Sequence, residues 1–462
     1  MNYVFGSLLN FCVVTLRRWR EAYNEAAMHH HCFCLSKMLS RLFGSNSLLP
    51  VKKPWRIQRR SRRASPQIEL LESRSMMAGI WCLTPDPPLN YQPSVDPIVG
   101  AVVTAFVSQD PQDADDSYDV LTGWIAAVDE LSSVGAREVS FAVYRQVNQG
   151  ILSGGPSVET VAVAVAYANE NNLSVTILPV FETNSGWRGE YDPTGQERSV
   201  FQNQYEQWIF ELSKIEGVDR LNIGSELNQM VANPSNAEFF AGLIDDAQAG
   251  FDMVGNQDGR IGYAANYDAF ANDGHRVLFS QENIDFIGIS AYKWLTPAVD
   301  ADSVAGTNEI SPEVFDSFVE NWTGFLDEVE DAVAEFDLPV VIQEVGAVQK
   351  NYASVAPFAV QPGDFVALDA EDRYGFDPTE QEAIFKSIIV ALDGRGDTFE
   401  SVTFWTWEHQ ASRGRRTTDV LGVEDGFESF AIYPKDGGGG EFLVEYLATY
   451  PDGIAINDPD DE

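Results

Sequence analysis

Residues 221–227 read Leu-Asn-Ile-Gly-Ser-Glu-Leu, and residues 339–346 read Pro-Val-Val-Ile-Gln-Glu-Val-Gly. Both stretches are apolar runs suited to the interior of a sheet, and they carry the glutamates Glu226 and Glu344 near their ends. A carboxylate is costly to bury, so a glutamate in such a run needs a reason to be there. One reason is structural, since a glutamate is often the first solvated residue after a strand. Chemistry that requires two facing carboxyl groups is the other.

The chain repeats a strand-then-helix unit around these two stretches. Eight β-branched, apolar runs predict strands at 98–107, 138–144, 174–181, 219–225, 260–265, 284–290, 338–343 and 401–405. Amphipathic segments between them predict helices at 117–133, 157–171, 196–214, 236–254, 312–336 and 378–392. Two of these helices have recognisable start signals, Ser311 before Pro312 and Asp377 before Pro378.

This alternation predicts an α/β fold with a parallel sheet covered by helices on its outer face. Eight such units favour a closed (β/α)8 TIM barrel. The fifth unit leaves room at 266–283 for only a short helix or loop, so a doubly wound open sheet is the structural alternative. In a barrel, the active site gathers at the carboxyl ends of the strands. Glu226 and Glu344 close the predicted fourth and seventh strands, and we expect them to face each other across the barrel mouth.

The charge of the chain is strongly acidic and unevenly distributed. The formal net charge is -40, yet residues 1–75 hold 13 of the 30 Lys and Arg and only 4 of the 70 Asp and Glu. We therefore expect a disordered basic extension at 1–95, one catalytic domain at 96–450 and an acidic tail at 451–462. An acidic domain repels nucleic acids and anionic membranes, whereas a neutral polysaccharide fits as a partner. Acidic surfaces also occur in proteins that are simply exposed to salt.

The extension has features of a leader sequence. Its apolar run at 4–16 is shorter than a typical membrane-spanning helix, and Arg17, Arg18 and Arg20 follow the run instead of preceding it. Residues 59–63 and 68–78 resemble a basic Leu-Glu-x-Arg leader motif of exported bacterial proteins. We expect an exported protein, located outside the cell, on its surface or in the periplasm. The sequence does not predict an oligomeric state.

The predicted domain has few residues for metal binding or for activating a serine or cysteine nucleophile. Residues 96–450 contain no cysteine and only two histidines, His275 and His409. These leave little for a zinc site or a Ser-His hydrolase. We expect no cofactor and no metal ion, although carboxylate-only binding of calcium or magnesium stays open in so acidic a chain.

Six local motifs occur in a fixed order along the chain: 187–189 (Trp-Arg-Gly), 223–227 (Ile-Gly-Ser-Glu-Leu), 263–266 (Tyr-Ala-Ala-Asn), 287–292 (Ile-Gly-Ile-Ser-Ala-Tyr), 343–346 (Gln-Glu-Val-Gly) and 404–407 (Phe-Trp-Thr-Trp). In this order they resemble clan A glycoside hydrolases, and the chain is most similar to glycoside hydrolase family 113, the β-mannanases. The similarity covers roughly residues 96–450.

The resemblance implies a retaining, endo-acting hydrolase of β-1,4-linked polysaccharide, with mannan as the first candidate substrate. It makes Glu226 the acid/base and Glu344 the nucleophile of a double displacement. A retaining reaction places the two carboxyl groups about 5–5.5 Å apart, whereas inversion leaves about 6.5–9.5 Å. A β-glucan-active hydrolase of the same clan is one alternative. A barrel that binds glycans without cleaving them is the other.

The two glutamates need opposite protonation states at one pH. We expect Glu344 to receive hydrogen-bond donors and Glu226 to lie in a drier, more acidic environment. Tyr292 ends the neighbouring strand and is the expected donor to Glu344. Arg145, at the end of the predicted second strand, either adds positive charge near Glu344 or forms a surface ion pair.

Sugar binding requires aromatic platforms and polar groups for the ring hydroxyls. Four tryptophans lie at or just beyond predicted strand ends: Trp187, Trp294, Trp405 and Trp407. For Trp407, core packing is the alternative. The resemblance places Trp405 under the central sugar and makes Arg188 and Asn266 ligands of hydroxyl groups. Ser225 stands where most of the clan has the asparagine that binds the 2-hydroxyl, which leaves the preferred sugar open.

Overall fold

The structure is a computed structural model that describes residues 97–104, 116–183, 186–296, 310–349, 352–357, 378–407 and 438–449. The expected basic extension, the acidic tail and Asp377 lie outside the described residues. The strands are β1 (Ile98–Thr104), β2 (Glu138–Asn148), β3 (Ile151–Ser153), β4 (Ser174–Thr183), β5 (Arg220–Ser225), β6 (Arg260–Asn266), β7 (Phe286–Ser290), β8 (Val340–Gly346) and β9 (Phe399–Trp407).

The helices surround these strands. They are α1 (Asp116–Ser133), α2 (Val158–Glu170), α3 (Gly195–Ser213), α4 (Asn228–Ala232), α5 (Ala237–Val254), α6 (Asp273–Phe279), α7 (Pro312–Val333), α8 (Pro378–Leu392) and α9 (Gly438–Thr449). Two single-turn 3₁₀ helices lie at Arg188–Glu190 and Pro234–Asn236.

Eight parallel strands close into a barrel. Strand β1 pairs with both β2 and β9, and the remaining neighbours follow in the order β2, β4, β5, β6, β7, β8, β9. Strand β3 is antiparallel to β2 and adds a hairpin arm outside the ring. All eight predicted strands are confirmed, and the open-sheet alternative is wrong. The predicted fourth and seventh strands are β5 and β8.

The helix starts follow local capping chemistry. The Ser311 hydroxyl accepts a hydrogen bond from the Val314 N–H at 3.3 Å, and Pro312 takes the first helical position of α7. The fifth unit contains the seven-residue helix α6, in agreement with its short predicted length. Apolar faces pack between helices and barrel, as where the Trp124 ring of α1 lies 5.0 Å from the Phe141 ring of β2, centroid to centroid.

Bulges interrupt the barrel strands beside the two glutamates. Asn222 pairs with Gly262 and Ser225 with Ala264, so β5 has one residue more than β6 between these pairs. Strand β8 has a similar shift, because Glu344 rather than the residue before it pairs with Ser290. A bulge changes the direction in which the following side chains point, and bulges are common next to active sites. These two bulges therefore set the directions of the side chains at the ends of β5 and β8, including those of Glu226 and Glu344.

A charged cluster lies where four of the strands begin, at the opposite end of the barrel. The Arg220 guanidinium contacts Glu138 at 2.7 Å and Glu400 at 2.6 Å, and Arg260 contacts Glu400 at 2.5 Å. Burial alone would raise the pKa of Glu400, but hydrogen bonds and charge from Arg260 and Arg220 lower it to about 2. Glu138 and Arg220 are almost fully buried, so the network closes the bottom of the barrel.

Candidate active site

Glu226 and Glu344 come together at the carboxyl ends of β5 and β8. Glu226 is 5 % exposed, has a left-handed φ of 55°, and its N–H donates to the Ala264 carbonyl at 2.8 Å. Glu344 is 1 % exposed. The two carboxyl groups lie close enough to raise the proton affinity of Glu344 through their mutual repulsion. A positive φ is uncommon outside glycine and is held by the surrounding structure, often at functional sites.

Glu344 has the expected tyrosine partner. The Tyr292 hydroxyl donates to Glu344 Oε2 at 2.9 Å. The Tyr292 ring packs against Gly346, where a Cβ atom would lie 2.5 Å from a ring carbon, so only glycine leaves room for it. Burial and the charge of Glu226 raise the pKa of Glu344 to about 8, although Arg188 and the Tyr292 hydrogen bond act in the opposite direction.

Glu226 has the stronger donors, contrary to expectation. Arg188 Nη2 lies 2.8 Å from Glu226 Oε2, and Trp187 Nε1 donates to the same oxygen at 3.2 Å. Arg188 Nη1 contacts Glu182 Oε1 at 3.3 Å. Glu226 is buried among acidic groups as expected, but the expectation did not include the guanidinium of Arg188. The physical reason is that the segment after β4 turns through a 3₁₀ helix and folds over the end of β5.

Two predicted substrate ligands do not contact the cluster around Glu226 and Glu344. The guanidinium of Arg145 donates to the Gly154 carbonyl and lies 5.5 Å from the centre of the Trp208 ring on α3, so the expected contact with the site is wrong. Trp407 is fully buried, and its Nε1 donates to Glu130 on α1 at 3.3 Å. Core packing therefore explains Trp407, and its assignment to substrate is also wrong.

The remaining predicted residues lie at the barrel mouth or just below it. Trp187 and Trp294 are 42 % and 57 % exposed, whereas Trp405 is 3 % exposed. Asn266 ends β6, and its side-chain oxygen accepts from the Asp268 N–H at 3.3 Å. Ser225 is buried, and within the described part of the chain its hydroxyl has no hydrogen-bond partner. Their roles toward a sugar stay predictions.

Two residues of the cluster escaped the sequence analysis. Tyr144 on β2 is buried and interacts electrostatically with Arg188, Glu182 and both central glutamates. Alternation along β2 could have identified it, because Tyr144 shares the face of Ser140, which accepts a hydrogen bond from Gln343 inside the barrel. Glu182 on β4 directly follows a predicted apolar strand, as Glu226 does, and the same criterion would have found it.

The pKa of Glu344 predicts a pH-dependent stability. A carboxyl group whose pKa rises on folding, here from 4.5 to about 8, stabilises the fold fully below pH 4.5 and loses this contribution as the pH rises toward 8. The Glu344→Gln variant lacks the titrating proton. The free energy of unfolding of Glu344→Gln minus that of the unmodified protein should be greater at pH 9 than at pH 5, by about a few kcal/mol for a pKa shift of this size. Urea unfolding at both pH values measures the difference.

The exposed Glu216 supplies a matched control for this measurement. Glu216→Gln should follow the unmodified protein at both pH values. A Glu344→Gln variant whose stability changes with pH in parallel with the unmodified protein would contradict the raised pKa.

No grouping of three or more His, Cys, Asp or Glu suited to a metal ion occurs among the described residues. The described side chains around Glu226 and Glu344 carry carboxylate, guanidinium, phenol and indole groups.

In comparisons with protein-family models and with curated protein sequences, nothing matches the chain. Solved structures do match. A family 113 β-mannanase from Alicyclobacillus acidocaldarius, in complex with ManMIm, is 17% identical with a TM-score of 0.53, over 76% of this chain and 97% of that chain. A family 113 β-1,4-mannanase is 14% identical with a TM-score of 0.51, over 77% and 99%.

A family 5 protein of the GH5_18 group from Streptomyces cattleya, in complex with Manβ1-4GlcNAc, is 14% identical with a TM-score of 0.50, over 78% of this chain and 82% of that chain. At these identities the comparison establishes the fold. The predicted resemblance to family 113 is thus confirmed at the level of fold, and the chain is a (β/α)8 barrel similar to those of glycoside hydrolase families 113 and 5.

Proposed function

We propose that this protein is a retaining, endo-acting glycoside hydrolase that cleaves β-1,4-linked polysaccharide, with mannan as the first substrate. One observation carries the proposal: Glu226 and Glu344, distant in sequence, are both buried at the carboxyl ends of barrel strands and interact electrostatically. Two carboxyl groups at one cleft are the catalytic requirement of glycoside hydrolysis. The similarity of the fold to β-mannanases supports mannan over other polysaccharides.

The proposed reaction has two steps. The reaction starts from ionised Glu344 and protonated Glu226, whereas burial of Glu344 and the contact of Arg188 with Glu226 favour the opposite distribution in the site without substrate. From that starting state Glu344 attacks the anomeric carbon while Glu226 gives a proton to the leaving oxygen, and water then cleaves the glycosyl ester with Glu226 acting as base. The Tyr292 hydroxyl, 2.9 Å from Glu344 Oε2, orients the nucleophile. Trp187 donates to Glu226 and is exposed enough to stack against a sugar ring beside it, and Trp294 is exposed enough to stack against a sugar ring.

Trapping with a fluorinated glycoside tests the assignment. A 2-fluoro mannoside with a good leaving group should add one sugar mass to the peptide that contains Glu344. The label on Glu226 would instead exchange the two roles. Binding of mannan oligosaccharides with neither labelling nor turnover would refute the hydrolase and favour a glycan-binding barrel.

Reducing-sugar release from mannan, glucomannan, xylan and cellulose tests the substrate. We expect the highest rate on mannan with internal cleavage, seen as a rapid fall in viscosity. Preference for cellulose or another β-glucan would overturn the mannan assignment while leaving the chemistry in place. Ser225 bears on this choice, because its buried hydroxyl stands where the clan's 2-hydroxyl ligand is expected.

We also propose that the protein is exported, on the strength of the leader-like motif at 59–78. Among the helices that the structure describes, we find none whose length and apolar character would let it span a bilayer. Sequencing the N-terminus of the protein purified from its native cells checks this, and an unprocessed residue 1 on an intracellular protein would refute export.

A further inference from the structure

Arg188 lies between two carboxylates and binds both. Its guanidinium contacts Glu226 at 2.8 Å through Nη2 and Glu182 at 3.3 Å through Nη1. The arginine side chain is 10 % exposed, and that of Glu182 is 30 % exposed. Because the arginine is buried and both its terminal nitrogens are engaged, the charge on each carboxylate depends on how the guanidinium is shared between them.

This arrangement conflicts with the role of Glu226 as an acid. An acid must hold a proton and present it to the leaving oxygen, yet Glu226 Oε2 already accepts from Arg188 and from Trp187. A guanidinium in contact with a carboxyl group favours its ionised form. The two donors to Oε2 therefore oppose the protonation of Glu226 that the acid step requires.

We propose that Glu182 and Arg188 are positioning residues that together control the proton on Glu226. Glu182 competes with Glu226 for the guanidinium, since each carboxylate contacts one of its two terminal nitrogens. This inference rests on the proposed function, since it concerns the acid step of that reaction. In this scheme Arg188 acts through its contact with Glu226, and Glu182 acts through its contact with Arg188.

Several other groups face Glu226 and contribute to its charge balance. They are Tyr144 on β2, Glu182 on β4, Tyr263 on β6, Tyr292 on β7 and Glu344 on β8. The tyrosines stay neutral because burial raises the pKa of each well above its ordinary value. Arg188 is the cation that contacts these carboxylates, so its position decides how the negative charge of Glu226 and of Glu182 is neutralised.

The pH profile of kcat/KM tests the inference with two opposite variants. In Glu182→Gln the guanidinium is left to Glu226, which then loses its proton more easily, so the limb of the profile that reports Glu226 should move about one unit to lower pH. In Arg188→Gln the counter-charge is lost, and the limb should move about one unit or more to higher pH. Glu182→Asp should restore most of the original profile.

Glu190→Gln is the matched control, because Glu190 lies exposed in the same 3₁₀ turn. Its pH profile should equal that of the unmodified protein. Limbs that stay fixed in both variants, or that move in the same direction, would overturn the inference, since loss of structure alone lowers activity without opposite pH shifts.

A second readout does not need turnover and separates this inference from the proposed function. The Trp187 indole donates to Glu226, so its fluorescence should report the protonation of that carboxyl group. The signal is the difference between the protein and its Trp187→Phe variant during a pH titration. The midpoint should fall in Glu182→Gln and rise in Arg188→Gln even if no glycan is cleaved. An unchanged midpoint in both variants would refute the control of Glu226 by Arg188.

Discussion

Replacing Glu344 with glutamine is expected to lower kcat about 10⁴-fold on every substrate that the protein cleaves. An amide cannot form the glycosyl ester that carries the reaction through its first step. Glutamine has nearly the same shape and can still accept the hydrogen bond from Tyr292, which lies 2.9 Å from the carboxylate. The loss should therefore appear in turnover and not in folding. Steady-state kinetics on mannan and on aryl glycosides measures it.

Glu226→Gln provides the comparison that separates the two roles. A substrate whose leaving group departs without a proton needs no acid, so Glu226→Gln should keep rapid ester formation on a dinitrophenyl glycoside while losing activity on mannan. Glu344→Gln should lose both. The reverse pattern would exchange the assignments, and a Glu344→Gln variant that retains a large share of activity on any glycan would refute its role as nucleophile.

Arg220→Met is expected to lower the free energy of unfolding by about 3–5 kcal/mol, the second large effect. The side chains of Arg220 and Glu138 are 2% and 0% exposed, and their charged atoms are 2.7 Å apart. Removing the arginine leaves Glu138 buried without its counter-charge, and the Thr176 hydroxyl is then its remaining described partner. Chemical denaturation at neutral pH measures the change.

Two further variants show whether burial of the charge causes this loss. Arg276→Met removes an ion pair to Glu335 whose side chains are 49% and 45% exposed, and it should cost at most about 1 kcal/mol. Adding Glu138→Leu to Arg220→Met removes the stranded carboxylate and should recover much of the stability. Arg220→Met with a cost no greater than that of Arg276→Met would contradict the importance of the buried pair.

The barrel was predictable because its strands are long, apolar and separated by helices with clear start signals. Glu226 and Glu344 were predictable for a related reason, since each is an acidic residue in an otherwise apolar strand. The same criterion applies to Glu182, which the sequence analysis did not identify, because in isolation a glutamate after a strand is often only solvated. Its importance depends on Arg188, whose contacts arise from the fold of the segment after β4.

The wrong assignments have a common physical origin. Arg145 and Trp407 both lie near strand ends, yet their side chains contact Trp208 of α3 and Glu130 of α1 on the outer side of the barrel. Neighbouring residues in a strand point to opposite faces, so an error of one position exchanges the cavity for the helical layer. Bulges such as those beside Ser225 and Glu344 break this alternation locally, and a sequence read by period alone does not locate them.

The charged cluster at the start of β2, β5, β6 and β9 has a consequence for engineering. It links β2 and β5, which carry Tyr144 and Glu226 at the carboxyl end of the barrel. None of its four residues lies at that end. Grafting or randomising the loops at the carboxyl ends of the strands, in order to change the accepted sugar, should therefore leave this charged cluster intact. In a chimaera of half-barrels from two homologues, Glu138 and Glu400 would come from different parents. The design should therefore choose parents in which all four charged residues of the cluster are compatible.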